Sequence, residues 1–265
     1  MKRSIAVLTL VAVVAGCGSD PVTPLGPFML ALNAGDGQTG TVGAALGAPL
    51  SVRVTNADGP VAGVRVRWSV TSGGGSVPPT SETGADGVAA ATYTLGTTAG
   101  TKAVTATVGG GDSVVTFSAT ALPGPARRLV RNSGDGQSAF AGQAAASPLA
   151  AVVLDQYNNG VPGVTVTWSV TLGGGSVAPA AAMTDSTGIA TTLFTTGAAL
   201  GSQAASASVA GLVGSPVSFS VIATAAITFV TSVPIAPNYG IHDTFVRDGL
   251  AFVCAWNSGL LIYDV

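Results

Sequence analysis

His242 is the only histidine of this 265-residue chain, and Asp243 follows it. An imidazole next to a carboxylate can be held as a general base. Acyl transfer also needs a nucleophile, and no serine here stands in G-x-S-x-G. Cys17 and Cys254 are the only thiols. They and one histidine fall short of the several His and Cys ligands that zinc takes. His242 therefore reads as structural or solvent-exposed. These residues are expected to be non-enzymatic, with no catalytic residue, no metal site and no cofactor.

Gly35-Asp36-Gly37-Gln38-Thr39-Gly40 fits G-x-G-x-x-G letter by letter. A dinucleotide site needs a strand before that segment and a helix after it. The next residues are Thr41-Val42-Gly43, which do not start a helix, and Gly134-Asp135-Gly136-Gln137-Ser138-Ala139 recurs later in the chain. A turn at the end of a strand explains both copies. Calcium is a subordinate expectation for the acidic loops, since Asp36, Asp58, Asp86 and Asp112, or Asp135, Asp155 and Asp185, could be gathered by folding. No D-x-D run exists, and Asp in loops is commonly a turn former.

Cys17 has the clearest setting for chemistry. Lys2 and Arg3 precede an apolar run from Ile5 to Ala15, which ends in Gly16-Cys17. A basic start, a short apolar stretch and small residues describe a secretory signal. The run is too short for a bilayer, which takes about 20 residues. Val14-Ala15-Gly16-Cys17 resembles the lipobox of bacterial lipoproteins. The resemblance implies cleavage after residue 16 and a lipid on Cys17. One acyl chain holds a membrane weakly, whereas two or more anchor stably. Gly18 stands where the resemblance would place Asp for inner-membrane retention. An exported protein at the outer membrane or cell surface is expected. An acylated Cys17 leaves Cys254 without an intramolecular disulfide partner.

Charged residues make up only 8% of the chain, against about a quarter in ordinary domains. Removing Lys2 and Arg3 from the 10 basic residues, against 12 acidic ones, takes the formal charge from −2 to −4. No basic patch suggests nucleic acid. Poor helix formers and no long 3.6-residue periodicity point to an all-β protein.

The elements repeat. Residues 59–77 read GPVAGVRVRWSVTSGGGSV, and residues 159–177 read NGVPGVTVTWSVTLGGGSV. A period of about 100 residues means two whole domains, since solenoid units run to roughly 20–50. Val64, Val66, Trp68 and Val70 alternate with polar residues, and Val164, Val166, Trp168 and Val170 repeat the alternation. Period 2 places each set on one face, the core face. Trp68, Trp168, Phe117 and Phe219 are therefore expected as core markers. About seven strands per repeat, parted by Gly, Pro, Asn and Asp turns, predict a β-sandwich. Asp58-Gly59 and Asn159-Gly160 are expected to supply positive φ at tight turns. Leu122-Pro123-Gly124-Pro125 reads as a short, stiff linker.

Asp155, Asn159-Gly160-Val161-Pro162-Gly163-Val164, Trp168 and Thr184-Asp185 with Gly188-Ile189-Ala190 resemble bacterial Ig-like domains of group 1, the invasin- and intimin-type modules. The first copy departs at Thr55, where the family residue is Asp, and at Ala62 in place of Pro162. The resemblance implies tandem Ig-like sandwiches with stalk or adhesive roles.

Beyond Thr224 the repeat stops, and Tyr239, Phe245, Phe252, Trp256 and Tyr263 crowd the last 28 residues. Three strands are expected, at 243–247, 250–255 and 260–265. Gly249 to Val253 followed by Gly259 to Val265 resembles one blade of an LVIVD-repeat β-propeller. A propeller closes with about four to eight blades, so the chain is expected to be the first part of a longer protein.

The expected organisation is then a signal peptide (1–16), a tether (17–28), Ig-like domains (29–122 and 127–225) around a linker (123–126), and a partial blade or hairpin (226–265). The sequence predicts a monomer held at the membrane through Cys17, its repeats acting as a stalk. The alternative is an adhesin in which the repeats bind an unidentified protein or glycan. Tyr157 is the prominent loop aromatic for such contact.

Overall fold

Apolar residues at every second position set one long core strand of each repeat, the one that carries the tryptophan. The computed structural model describes residues 27–109, 113–226, 241–247, 250–255 and 259–264. Val14, Ala15, Gly16, Cys17 and Asp112 lie outside the described residues, as does the His242 side chain.

The first repeat forms β1 (Met29–Ala34), β2 (Gln38–Thr41), β3 (Leu50–Asn56), β4 (Gly59–Pro60), β5 (Arg65–Ser72), β6 (Gly75–Ser76), β7 (Thr80–Glu82), β8 (Val88–Ala91), β9 (Thr94–Leu95), β10 (Gly100–Val108) and β11 (Val114–Leu122). In one sheet β3 pairs with β1, β4 and β8; the other runs β2-β11-β10-β5-β7. The second repeat forms β12 (Arg128–Ser133), β13 (Gln137–Phe140), β14 (Leu149–Leu154), β15 (Thr165–Leu172), β16 (Ser176–Ala178), β17 (Ala181–Met183), β18 (Ile189–Thr195), β19 (Gly201–Ser208) and β20 (Val217–Thr224). Its sheets run β12-β14-β18-β16 and β13-β20-β19-β15-β17. No helix occurs among the described residues. The fold is all-β, as the composition predicts.

The first strand of each repeat is broken in two. β1 pairs antiparallel with β3 in one sheet, and β2 pairs parallel with β11 in the other. The break is Gly35-Asp36-Gly37, the segment with the dinucleotide-like spelling. A strand comes after it, not a helix. Gly35 has φ +90°, and a Cβ there would lie 2.3 Å from the Pro49 carbonyl oxygen. Only glycine lets the chain cross between sheets at this point.

The alternation in β5 and β15 holds. Val66 and Trp68 are buried, as are Val166 and Trp168, while Arg65, Arg67, Thr165 and Thr167 face water. Trp68 packs on Phe117 with ring centroids 5.8 Å apart, and Trp168 on Phe219 at 5.5 Å. Each tilted pair sits in its own apolar cluster, so each sandwich has a separate core.

One turn differs from expectation. Asn158 has φ +71°, while Gly160 does not adopt positive φ. Gly160 is needed for another reason: a Cβ there would stand 1.9 Å from the Thr187 carbonyl oxygen. The loop end passes too close to its neighbour for any side chain.

The C-terminal piece forms a three-stranded antiparallel sheet of β21 (Ile241–Arg247), β22 (Leu250–Ala255) and β23 (Gly259–Asp264). β21 begins two residues earlier than the sequence suggests, and β23 spans 259–264 instead of 260–265.

Candidate functional site

The densest polar constellation lies where the two sandwiches meet. β14 ends at Leu154, and Asp155 opens the loop after it. Asp155 is only 1% exposed. A carboxylate buried that far must be met by donors, and four reach it. The N–H groups of Tyr157 and Asn159 donate to Oδ1 at 2.8 and 2.9 Å. The Asn159 amide and the Gly124 N–H donate to Oδ2 at 2.8 and 2.9 Å. Burial pushes the Asp155 pKa upward, but these hydrogen bonds outweigh it and the net direction is down. Four hydrogen-bond donors thus offset the desolvation of the carboxylate. Gly124 belongs to the linker, so the carboxylate ties the linker to the loop.

Asn159 carries the contact across. Its Nδ2 donates to the Thr97 carbonyl at 2.8 Å, and its Oδ1 accepts from the Ala99 N–H at 2.8 Å. One planar amide thus meets a donor and an acceptor of the β9–β10 turn, as another strand would. Its second N–H is held by Asp155, so both amide hydrogens and the carbonyl of the Asn159 side chain are engaged. Tyr157 lies over Gly43, where a Cβ would come within 3.1 Å of the phenol oxygen. The side chain that sequence suggests for ligand contact borders the joint and remains 40% exposed. Asn158 turns the loop at positive φ and accepts from the Arg128 guanidinium. This arrangement fixes geometry; it offers no nucleophile and no general acid.

The first copy has no such loop. Thr55 replaces the buried Asp, and the Asn56 side chain caps its own turn by accepting from the Asp58 N–H at 2.9 Å. Sequence reasoning noted Thr55 as a departure from a family pattern. It missed that Asp155, with Asn159, builds the joint between the two sandwiches.

Asp36, Asp135 and Asp185 each bond within their own sandwich. Asp36 accepts from the Ser118 N–H and hydroxyl at 2.7 and 3.0 Å, and Asp135 from those of Ser220 at 2.8 and 3.1 Å. Both sit below the ordinary carboxylate pKa, chiefly through the serine N–H bond. Asp185 accepts from the Thr187 hydroxyl and from the Thr187 and Ile189 N–H groups. Among the described residues no three His, Cys, Asp or Glu side chains come together. Lys102 went unnoticed in the sequence. It is 1% exposed, and its ammonium donates to the Thr98 carbonyl at 2.6 Å. Gln203 replaces it in the second sandwich and reaches the Gly197 and Ala199 backbone.

The core markers occupy the two interiors, not this site. The Trp68 indole donates to Ser81 Oγ at 2.9 Å, whereas the Trp168 Nε1 is buried with no partner.

Comparison with known proteins places the fold. The family model described as bacterial Ig-like domain (group 1) matches residues 133–230. No curated protein matches the chain. Among solved structures, FdeC, an Escherichia coli adhesin, is 18% identical with a TM-score of 0.53, over 87% of this chain and 73% of that one. Yersinia pseudotuberculosis InvD is 17% identical with a TM-score of 0.50, over 86% and 68%. Invasin, described as a bacterial integrin-binding protein, is 23% identical over 85% of this chain and 45% of its own, with a TM-score of 0.36. Residues 133–230 thus match a bacterial Ig-like domain of group 1, within an all-β chain that shares the sandwich fold of FdeC and InvD.

Proposed function

We propose that this chain is a non-enzymatic surface protein whose two sandwiches form a stiff spacer. A lipid on Cys17, behind Val14-Ala15-Gly16, anchors it at the outer membrane or cell surface. Residues 17–28 are the tether, and the pair at 29–122 and 127–225 raises the C-terminal piece off the membrane. The observation that carries the reading is Asn159, whose amide bonds to Thr97 and Ala99 of the preceding sandwich. A flexible string of domains would have no use for a buried carboxylate holding that amide in place. Replacing Cys17→Ala and fractionating cells tests the anchor. Loss of the protein from the membrane fraction is expected; unchanged retention removes the anchor.

A second reading comes from the fold shared with FdeC, an adhesin. The sandwiches themselves would bind a protein or glycan on another cell. In an adhesion assay, surface display of the full chain should then raise attachment above that of cells lacking it. Equal attachment counts against this reading and leaves the spacer intact.

A further inference from the structure

Two buried charged side chains stand on opposite sides of the joint. Lys102 belongs to the first sandwich and Asp155 to the second, and each is 1% exposed. Burying a charge is costly unless it is paired or hydrogen-bonded, yet among the described residues neither takes part in an ion pair. Two planar amides lie between them instead. The Lys102 ammonium donates to the Thr98 carbonyl at 2.6 Å. That carbonyl shares a peptide plane with the Ala99 N–H, which points the opposite way and donates to Asn159 Oδ1 at 2.8 Å. Asn159 Nδ2 in turn donates to Asp155 Oδ2 at 2.8 Å. Every step runs in one direction, from the ammonium toward the carboxylate. Each amide is therefore polarised by the group behind it and strengthens the bond ahead of it.

We propose that Lys102 and Asp155 are the two ends of one hydrogen-bond relay that closes the joint, with Lys102 as its positioning residue in the first sandwich. The two copies differ in the matching way. Where the second sandwich has Asp155 the first has Thr55, and where the first has Lys102 the second has Gln203. Each copy thus keeps its charged residue only on the side that faces the other. Gln203 reaches the Ala199 carbonyl, the counterpart of Thr98, at 2.7 Å. Holding this turn therefore needs a donor but not a charge. Asp155, at the far end of the relay, is what gives the Lys102 charge a role. A buried charge left without its counterpart is costly, so the relay favours docking of these two faces over other pairings of the sandwiches. Lys102 becomes a working part of the stiff spacer proposed above, and its role rests on that reading.

Carboxyl ¹³C titration in the full chain tests the relay. Lys102→Gln installs the residue of the second sandwich, where the same turn folds, and removes the charge. The Asp155 midpoint should rise, while those of Asp36, Asp135 and Asp185 stay where they are. A role for Lys102 confined to packing within the first sandwich would leave Asp155 unmoved in the other one, and an unmoved midpoint overturns the proposal. Asp155→Asn reads the relay from the opposite end and does not depend on how well the first variant folds. The Lys102 ¹⁵Nζ resonance should then shift, and a resonance that stays put also overturns the proposal. ¹⁵N relaxation of the parent chain separates the relay from the spacer. Sandwiches that tumble independently remove both; shared tumbling with no change at Asp155 removes the relay alone.

Discussion

Trp68 donates its indole N–H to Ser81 at 2.9 Å, and the second sandwich repeats the tryptophan without the serine. Ser81 is the register partner of Val66, and Ala182 is the partner of Val166. Trp168 Nε1 is consequently buried without an acceptor. Ala182→Ser should restore the bond and stabilise by about 1 kcal/mol, the usual net worth of an internal hydrogen bond. Ser81→Ala should cost about 1–3 kcal/mol, since it leaves an N–H orphaned. Urea unfolding of the two variants checks the pair; effects of the same sign would contradict this pairing.

Phase along the strand can be tested beside it. Trp168→Ala empties a buried site against Phe219 and should cost about 3–5 kcal/mol. Thr167→Ala, on the water face, should change stability by less than about 0.5 kcal/mol. Near-equal melting temperatures for the two variants would show the faces to be misassigned.

These faces were legible in the sequence because period 2 is a local signal. Val164, Val166 and Trp168 declare their side of the sheet without any partner. The joint was not legible, for an equally physical reason. Asn159 meets Thr97 and Ala99 about 60 residues upstream, and no spacing rule reaches that far. The one trace was the change from Thr55 to Asp155 between copies. The turn at Asn159-Gly160 was recognised as a turn but with the wrong residue bearing positive φ. Close approach of the Thr187 carbonyl, which dictates Gly160, depends on a second loop and leaves no mark on the first.

Two glycines separate crowding from backbone strain. Gly160→Ala drives a Cβ into the Thr187 carbonyl and should cost about 1–3 kcal/mol or more, as overpacking does. Gly136→Ala meets open space and bears only the positive-φ penalty, about 1–2 kcal/mol. Thermal melts should rank Gly160→Ala as the less stable. The reverse ranking would show that the two loops do not approach as described.

Acid should loosen both sandwiches. Asp36, Asp135, Asp155 and Asp185 all lie below the ordinary carboxylate pKa. Such groups stabilise the fold above their unfolded value, about 3.9, and that contribution is lost as pH falls through the lower folded value. Melting temperature should therefore be level near neutrality and fall below about pH 4. Asp155→Asn, which swaps an acceptor for a donor facing Gly124 or Asn159, should be less stable at pH 7, with its gap to the parent narrowing in acid. A gap that is constant with pH would show that the Asp155 charge does not matter.

The Asn159 amide makes the side-chain hydrogen bonds between the sandwiches, and its removal is the most direct test. In the full chain, ¹⁵N relaxation should give residues 29–122 and 127–225 one shared rotational diffusion tensor. Asn159→Ala should split it into two faster, separate ones while each sandwich keeps its own amide spectrum. Domains that tumble independently in the parent chain, or stay locked together in the variant, would contradict the spacer.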